Sequence, residues 1–352
     1  MYQSIPSVDA TEPEPVPVDV FVAGPVFMDM VFSGLPQAPV LGTETWAAAM
    51  GTCPGGVANM AVAMARLGLH VALATAFGDD AYGDFCRETL ELGEGIDVSL
   101  SVRMAGRHTP VTVSLAYGGD RTMISHGHIN EHPEVINVPA ARAVFAPLSP
   151  GHEPAWLPKA KQAGSRVVVN SGWDDTGLWD LSSLETLPLA DVVVANLTEA
   201  QHWTGQRNPR AAAEALGEHV PLAVVTLGAD GAIAAGNSVG DAILVTGVPV
   251  HAVDTTGAGD VFLSGLMAGL AASCSPRETL VLGCVAAALS TERIGSSLSA
   301  PCSDEIGWWY RSQSATATDE FRATYGFLDS LFPRNPWPRH PRRTVPTVGF
   351  RP

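Results

Sequence analysis

From residue 18 onward the chain alternates between short apolar runs and stretches whose apolar residues recur every three or four positions. "VDVFVAG", "HVALATAFG", "ARAVFAP", "SRVVVN", "ADVVVAN" and "LAVVTLG" are runs of the first kind, rich in β-branched residues. "GGVANMAVAMARLG", "DAYGDFCRETLELG", "EPAWLPKAKQAG", "NLTEAQHW" and "PRAAAEALGEHV" are of the second. A strand that is apolar on consecutive residues has both faces covered, the situation of a parallel strand lying between helices. The alternation predicts an α/β fold: a doubly wound, mostly parallel sheet flanked by helices.

Two segments break this rhythm. Residues 31–50 are rich in Gly, Pro and Thr, and "TPVTVSLAYGGDRTMIS" alternates apolar and polar residues around a Gly-Gly-Asp turn, as a half-exposed antiparallel pair does. Together they predict a small β flap, with segments at about 31–50 and 102–126, beside the main sheet. The ends differ again. Residues 1–17 are Pro-rich and acidic, which predicts a mobile leader, and residues 334–352 combine prolines with arginines, which predicts an extended tail. Residues 18–333 are expected to form one domain.

Composition narrows the partners. The formal net charge of the 352 residues is -16, poor footing for non-specific grip on nucleic acid or on an anionic membrane surface. The five cysteines form no CxxC pair, so they suggest small buried hydrophobes in a reducing compartment rather than a zinc site or a disulfide framework. The acidic, Pro-containing N-terminus lacks the basic and apolar regions of a secretory signal, and no apolar run is long enough to span a bilayer. A cytoplasmic protein is expected.

The candidate chemistry lies in "DTTGAGD", residues 254–260, immediately ahead of the apolar "VFLSGLMAGLAAS". Small residues permit a tight turn, and Asp260 then falls in the first turn of a buried helix. Unsatisfied amides at a helix start attract phosphate, and glycines let its oxygens come close. A carboxylate held there is placed to take a proton from an alcohol while the amides of Gly257, Ala258 and Gly259 steady a transferring phosphoryl group. A capping Asp in an ordinary Gly-rich loop is the alternative.

Lysine scarcity removes the usual routes. The only lysines are Lys159 and Lys161, and neither follows a Gly-rich turn or sits on a strand, as a P-loop or a protein-kinase site requires. "FVAGPVFMDMVF" also lacks the GxGxxG of a dinucleotide fold.

With these residues in view, the chain resembles the ribokinase-like (PfkB) family of carbohydrate kinases from about residue 18 to about residue 310. "DTTGAGD" is similar to the family's C-terminal signature, "GGVANMAVAMARLG" to its N-terminal one, "NLTE" to its Asn-x-x-Glu element and "VTLGADGA" to its nucleotide-binding turn, all in the family's order. The resemblance implies ATP-dependent phosphorylation of a hydroxyl on a sugar or sugar-like molecule. Asp260 would be the base and Gly257, Ala258 and Gly259 the anion hole; Asp29, Gly55, Gly56 and Asn59 would hold acceptor hydroxyls. Asn196, Thr226 and Gly228 would serve ATP, and Glu199 would hold Mg2+ through water. The flap would be the family's lid, through whose strands two copies would pair. "STERIGSSLS" resembles the family's monovalent-cation loop, which implies K+ ligands among Asp254, Thr256, Ser290, Arg293, Gly295 and Ser299; a plain helix-ending loop with a Gly C-cap remains the alternative.

Departures from the family pattern concern the acceptor. Phe27 stands where the type member carries an Asn, "GGVAN" is one residue short, and Glu153 is out of register with the family's acidic sugar contact. The acceptor therefore stays open between a sugar, a sugar acid and a nucleoside, whose base Phe27 would stack, and a non-catalytic ligand-binding relative is the third reading. His126, His128 and His132 cluster without a fixed spacing and suggest packing or solvation rather than a metal site. Trp173, Asp174 and Asp175 follow a strand end, where ligands commonly bind, although a loop-packing Trp explains the same residues.

Overall fold

The computed structural model describes residues 17–118, 120–127, 135, 138–148, 153–170, 177–314 and 317–333. The predicted leader up to residue 16, the tail from 334, His128, His132, Trp173, Asp174 and Asp175 lie outside the described residues. In chain order the first elements are β1 (Val18–Ala23), β2 (Val26–Ser33), β3 (Ala49–Gly56), α1 (Val57–Arg66), β4 (Val71–Ala74), β5 (Ala76–Gly78), α2 (Ala81–Glu88), β6 (Val102–Met104), β7 (Val111–Tyr117) and β8 (Asp120–His126). They are followed by β9 (Ala141–Pro147), α3 (Leu157–Gln162), β10 (Arg166–Asn170), β11 (Val192–Asn196), α4 (Leu197–Thr204), α5 (Pro209–Gly217), β12 (Leu222–Thr226), β13 (Gly231–Ala235) and β14 (Ile243–Thr246). The chain closes with α6 (Ala258–Ala271), α7 (Pro276–Ser290), α8 (Ser303–Ser314), α9 (Asp319–Tyr325) and α10 (Phe327–Leu331).

Among the described residues, eight strands form the main sheet in the order β14-β13-β12-β11-β10-β9-β1-β4, parallel from β4 to β12 and closed by the antiparallel β13 and β14. The apolar runs are buried on both faces, as their composition requires. Val192 and Val194 of β11 belong to one core cluster with α1, α6 and α7, whereas Val193 and Ala195 belong to the opposite one with α3, α4 and α5. The same alternation runs through β1, β9, β10 and β12. Growth of the sheet reverses at β1, which pairs β4 on one side and β9 on the other. Crevices at the carboxyl ends of strands near such a reversal are where open α/β sheets bind ligands.

A second, four-stranded sheet has the order β3-β2-β7-β8. Its β7–β8 hairpin is the antiparallel pair read from "TPVTVSLAYGGDRTMIS". Its outlines differ from the sequence-based ones. The first arm begins earlier, at Val26, the second runs on to Gly56, and Val102–Met104 pairs with β5 outside this sheet. β3 holds Pro54 and three glycines, which it tolerates as an edge strand. By register, Phe27 and Asp29 of β2, Thr112 and Ser114 of β7 and Arg121 of β8 share one face, while Phe32, Val113, Leu115 and Ile124 share the other.

Candidate functional site

The "DTTGAGD" stretch turns into α6 as its small residues dictate. Gly257 adopts φ 76°, a left-handed conformation that favours glycine, and no side chain caps the helix. The amides of Gly257, Gly259 and Asp260 meet no acceptor among the described residues, so they point outward as a helix start leaves them. Ala258, expected in the anion hole, differs: its N–H is engaged by the Thr255 carbonyl at 3.2 Å. The open donors are therefore Gly257, Gly259 and Asp260 itself.

Asp260 lies beside these amides in the first turn of α6, and Asn59 of α1 donates its Nδ2 to Asp260 Oδ2 at 2.8 Å. Burial raises the carboxyl to about 6, against the lowering influence of Asn59 and of the Arg121 guanidinium and with a further push from Glu199. Such a value suits a base that must be free to take a proton near neutrality. The helix is anchored where the site needs it, since Ser264 Oγ donates to the Asp260 carbonyl at 2.7 Å and lies 3.2 Å from the Met60 carbonyl of α1.

Asp29 lies buried on β2, on the face of the small sheet that meets α6. Burial first, then the charge of Asp260, raise its carboxyl to about 7, while the Ser296 hydroxyl lowers it. Gly55 must be glycine for this carboxylate to sit where it does: a Cβ there would come within 2.1 Å of the Asp29 carboxyl. Gly56 packs against Phe27, whose ring would lie 2.6 Å from an added Cβ. Asp29, Gly55, Gly56, Asn59 and Asp260 thus converge, although they come from four elements.

The residues predicted to serve a nucleotide divide into two groups. Thr226 and Gly228, at and just past the end of β12, line a cavity of about 330 Å³ together with Val250, Thr255, Gly259, Phe262, Cys284 and Ala288. Asn196 and Glu199 instead form a capping box at the start of α4: Glu199 N–H donates to Asn196 Oδ1 and Asn196 N–H to Glu199 Oε2, each at 2.9 Å. Glu199 is nevertheless buried, and its charge reaches Asp260.

The predicted monovalent-cation loop is folded against the same region. Asp254 and Thr256 are buried, Thr256 N–H donates to Asp254 Oδ1 at 2.9 Å, and Asp254 Oδ2 and Thr256 Oγ1 have no partner among the described residues. Ser290 and Ser299 donate their hydroxyl protons to the carbonyls of Ala287 and Ser296, which leaves their oxygen lone pairs as well as their main-chain carbonyls able to meet a cation, whereas Arg293 pairs with Glu305 at 3.1 Å and could offer only its main-chain oxygen. Gly295 is buried with φ 140°.

Two residues that sequence reasoning passed over join the site. Arg121 of β8 donates to Thr255 Oγ1 at 2.9 Å, which lays the small sheet across the mouth of the amide cluster. Ser296 bridges Asn59 and Asp29. Glu153 is exposed, as is His126, which stacks on His108 with ring centroids 5.0 Å apart. No group of three or more His, Cys, Asp or Glu side chains that could hold a metal occurs among the described residues, and none of their helices is long and apolar enough to cross a membrane.

A buried carboxylate beside open helix amides, under a β sheet and next to an apolar cavity, has the parts that phosphoryl transfer requires, and comparison with known proteins decides its lineage. The model of the pfkB family of carbohydrate kinases matches residues 43–302. The chain belongs to that family. Among pfkB relatives, it is 32% identical over 283 residues to a fructokinase from Klebsiella pneumoniae, covering 72% of this chain and 91% of the relative. It is 30% identical over 269 residues to the ribokinase of Haemophilus influenzae, covering 70% and 84%. The pfkB fold is matched by the Arabidopsis thaliana ribokinase structure with ribose and ATP, at a TM-score of 0.66 and 23% identity over 82% of this chain and 96% of that one. The protein is thus a pfkB-type sugar or nucleoside kinase, and the sequence-based fold class and enzyme class are both met.

Proposed function

We propose that this kinase transfers the terminal phosphoryl group of ATP directly to a hydroxyl of a sugar or sugar-like acceptor. The observation that carries the reading is Asp260, a carboxyl raised to about 6 by burial and set beside the open amides of Gly257, Gly259 and Asp260. The acceptor hydroxyl is oriented by Asp29 and Asn59, Asp260 takes its proton, and the amides with Arg121 oppose the charge that develops on the moving phosphoryl group. The base and sugar of the nucleotide fit the cavity between Thr226 and Ala288. The small sheet acts as a lid that keeps water, a competing acceptor, away from the reacting atoms.

Mg2+ fits the donor set, because Glu199 offers a buried carboxylate of the hard oxygen type that this ion takes through its waters, near Asn196. When bound it would offset phosphate charge. K+ fits as well: Asp254 Oδ2 and Thr256 Oγ1 are buried polar atoms without a protein partner, a costly state that a cation relieves. On the outer face of the lid, Phe32, Val113, Leu115 and the 65% exposed Ile124 favour pairing of two copies.

Coupled ADP release with D-ribose, D-fructose and adenosine tests the reading. Asp260→Asn is expected to keep the thermal midpoint and lose on the order of 100-fold to 10,000-fold in kcat. Near-normal turnover in that variant would remove Asp260 as the base, and turnover of adenosine alone would favour a nucleoside acceptor stacked on Phe27.

A further inference from the structure

Ser296 is fully buried and adopts φ 42°, a left-handed conformation uncommon for any residue with a Cβ. Strain of this kind persists where the surroundings hold a residue in place, and it concentrates at functional sites. The surroundings here are specific. Ser299 Oγ donates to the Ser296 carbonyl at 2.7 Å, and Arg66 Nη1 donates to the carbonyls of Leu298 at 2.8 Å and Ala300 at 2.9 Å. Arg66 is itself fixed by a buried two-point pair with Glu94, at 2.7 and 3.0 Å. Arg66 and Asn59 lie two turns apart on one face of α1, so one helix grips this loop at one point and the reaction centre at another.

We propose that Ser296 is a positioning residue of the transfer site, whose hydroxyl holds the Asn59 amide against Asp260 and the Asp29 carboxyl beside it; this rests on the kinase reading given above. Ser296 Oγ donates to Asn59 Oδ1 at 3.0 Å, with Asp29 Oδ2 at 3.4 Å as a second, weaker acceptor. An amide can turn either end to a neighbour, and a flipped Asn59 would set its carbonyl oxygen against the Asp260 carboxylate. The acceptor-only Asp260 carboxylate opposes that flip, and the Ser296 hydroxyl proton, given to Oδ1, holds the amide in the orientation in which Nδ2 bonds Asp260 at 2.8 Å. The same hydroxyl oxygen lies only 3.1 Å from where a Cβ on Gly257 would be, so Ser296 also backs the first residue of the amide cluster. One serine thus touches the acceptor carboxylate, the amide that serves the base, and the turn that opens α6.

The test uses the full chain, with the acceptor among D-ribose, D-fructose and adenosine that the wild type turns over fastest. Ser296→Ala and Ser296→Gly are both expected to lose about tenfold or more in kcat with KM for ATP within about twofold of wild type, the mark of an interaction made in the transition state. Ser296→Gly relieves the positive φ and should melt at or above Ser296→Ala, which separates catalysis from folding. In an Asn59→Ala background the further loss on Ser296→Ala should shrink to about twofold, because the serine acts largely through that amide. Wild-type kcat in Ser296→Gly, or an undiminished loss in the Asn59→Ala background, would overturn the assignment. Failure of the kinase reading is distinguishable, since the wild type itself would then turn over none of the three acceptors, and the role of Ser296 would fall with it.

Discussion

The guanidinium of Arg121, on the last strand of the small sheet, donates to the hydroxyl of Thr255, one residue from the start of the Thr256-Gly257 turn, at 2.9 Å. A cation is thereby carried by the small sheet to the open amides of α6, where the proposed transfer would build phosphate charge, and its influence on the Asp260 carboxyl is already felt. Arg121→Ala is expected to lower kcat on the order of 100-fold to 1,000-fold, the range for removal of one stabilising donor, with a smaller change in thermal midpoint. Steady-state kinetics with ATP varied at saturating acceptor measures this; unchanged kcat would leave Arg121 a lid contact only.

Acidity of the site also sets how stability responds to pH. Asp29 is raised from 3.8 to about 7 and Asp260 from 3.8 to about 6, burial being the largest cause for both. The folded chain therefore binds more protons than the unfolded one between these values, and the stability that each group contributes, complete below about 4, is lost as pH rises through its folded value. The ligand-free protein should melt at a lower temperature at pH 8 than at pH 5, and Asp29→Asn should flatten that slope. A wild-type midpoint that rises with pH over this window, or a slope untouched in Asp29→Asn, would contradict the burial of Asp29 as an acid.

Gly55→Ala tests the close approach of backbone to carboxylate. The added methyl would fall 2.1 Å from Asp29, so the carboxyl must move. The expected outcome is a rise in acceptor KM of about tenfold or more with KM for ATP little changed, since neither Gly55 nor Asp29 lines the cavity proposed for the nucleotide. Equal KM values for the acceptor would mean that Asp29 does not hold it.

For the cation loop, thermal midpoints in 100 mM-scale KCl and tetramethylammonium chloride, matched for ionic strength, give a readout independent of turnover. K+ is expected to raise the midpoint of the wild type, because it supplies the missing partner of Asp254 Oδ2, and to do so far less in Asp254→Ala. Identical responses to the two salts would remove K+ from this loop.

The parts of this architecture that could be read from the chain are those whose cause is local. "VVV" runs announce a strand covered on both sides because each residue type carries that information, and "DTTGAGD" announces a tight turn ahead of a buried helix for the same reason. Ala258 shows the limit of such reading: its amide looks equivalent to its neighbours in sequence, yet the turn geometry hands it to the Thr255 carbonyl. Arg121 and Ser296 were not legible at all. Their meaning lies in partners 134 and 237 positions away, and neither a lone arginine after a hairpin turn nor a serine in a Ser-rich loop signals that distance. The Arg66–Glu94 pair is hidden for the same reason, since "MARLG" reads as an ordinary helix end.

Asn59 reaches Asp260 across 201 positions and Asp29 reaches Ser296 across 267, with Arg66 fastening the carbonyls of Leu298 and Ala300 to the first third of the chain. Nothing short of the nearly complete polypeptide can own a working centre. During synthesis turnover is expected only once about residue 300 has left the ribosome, and on refolding it is expected to trail the return of helix and sheet, because contacts so distant in sequence form slowly.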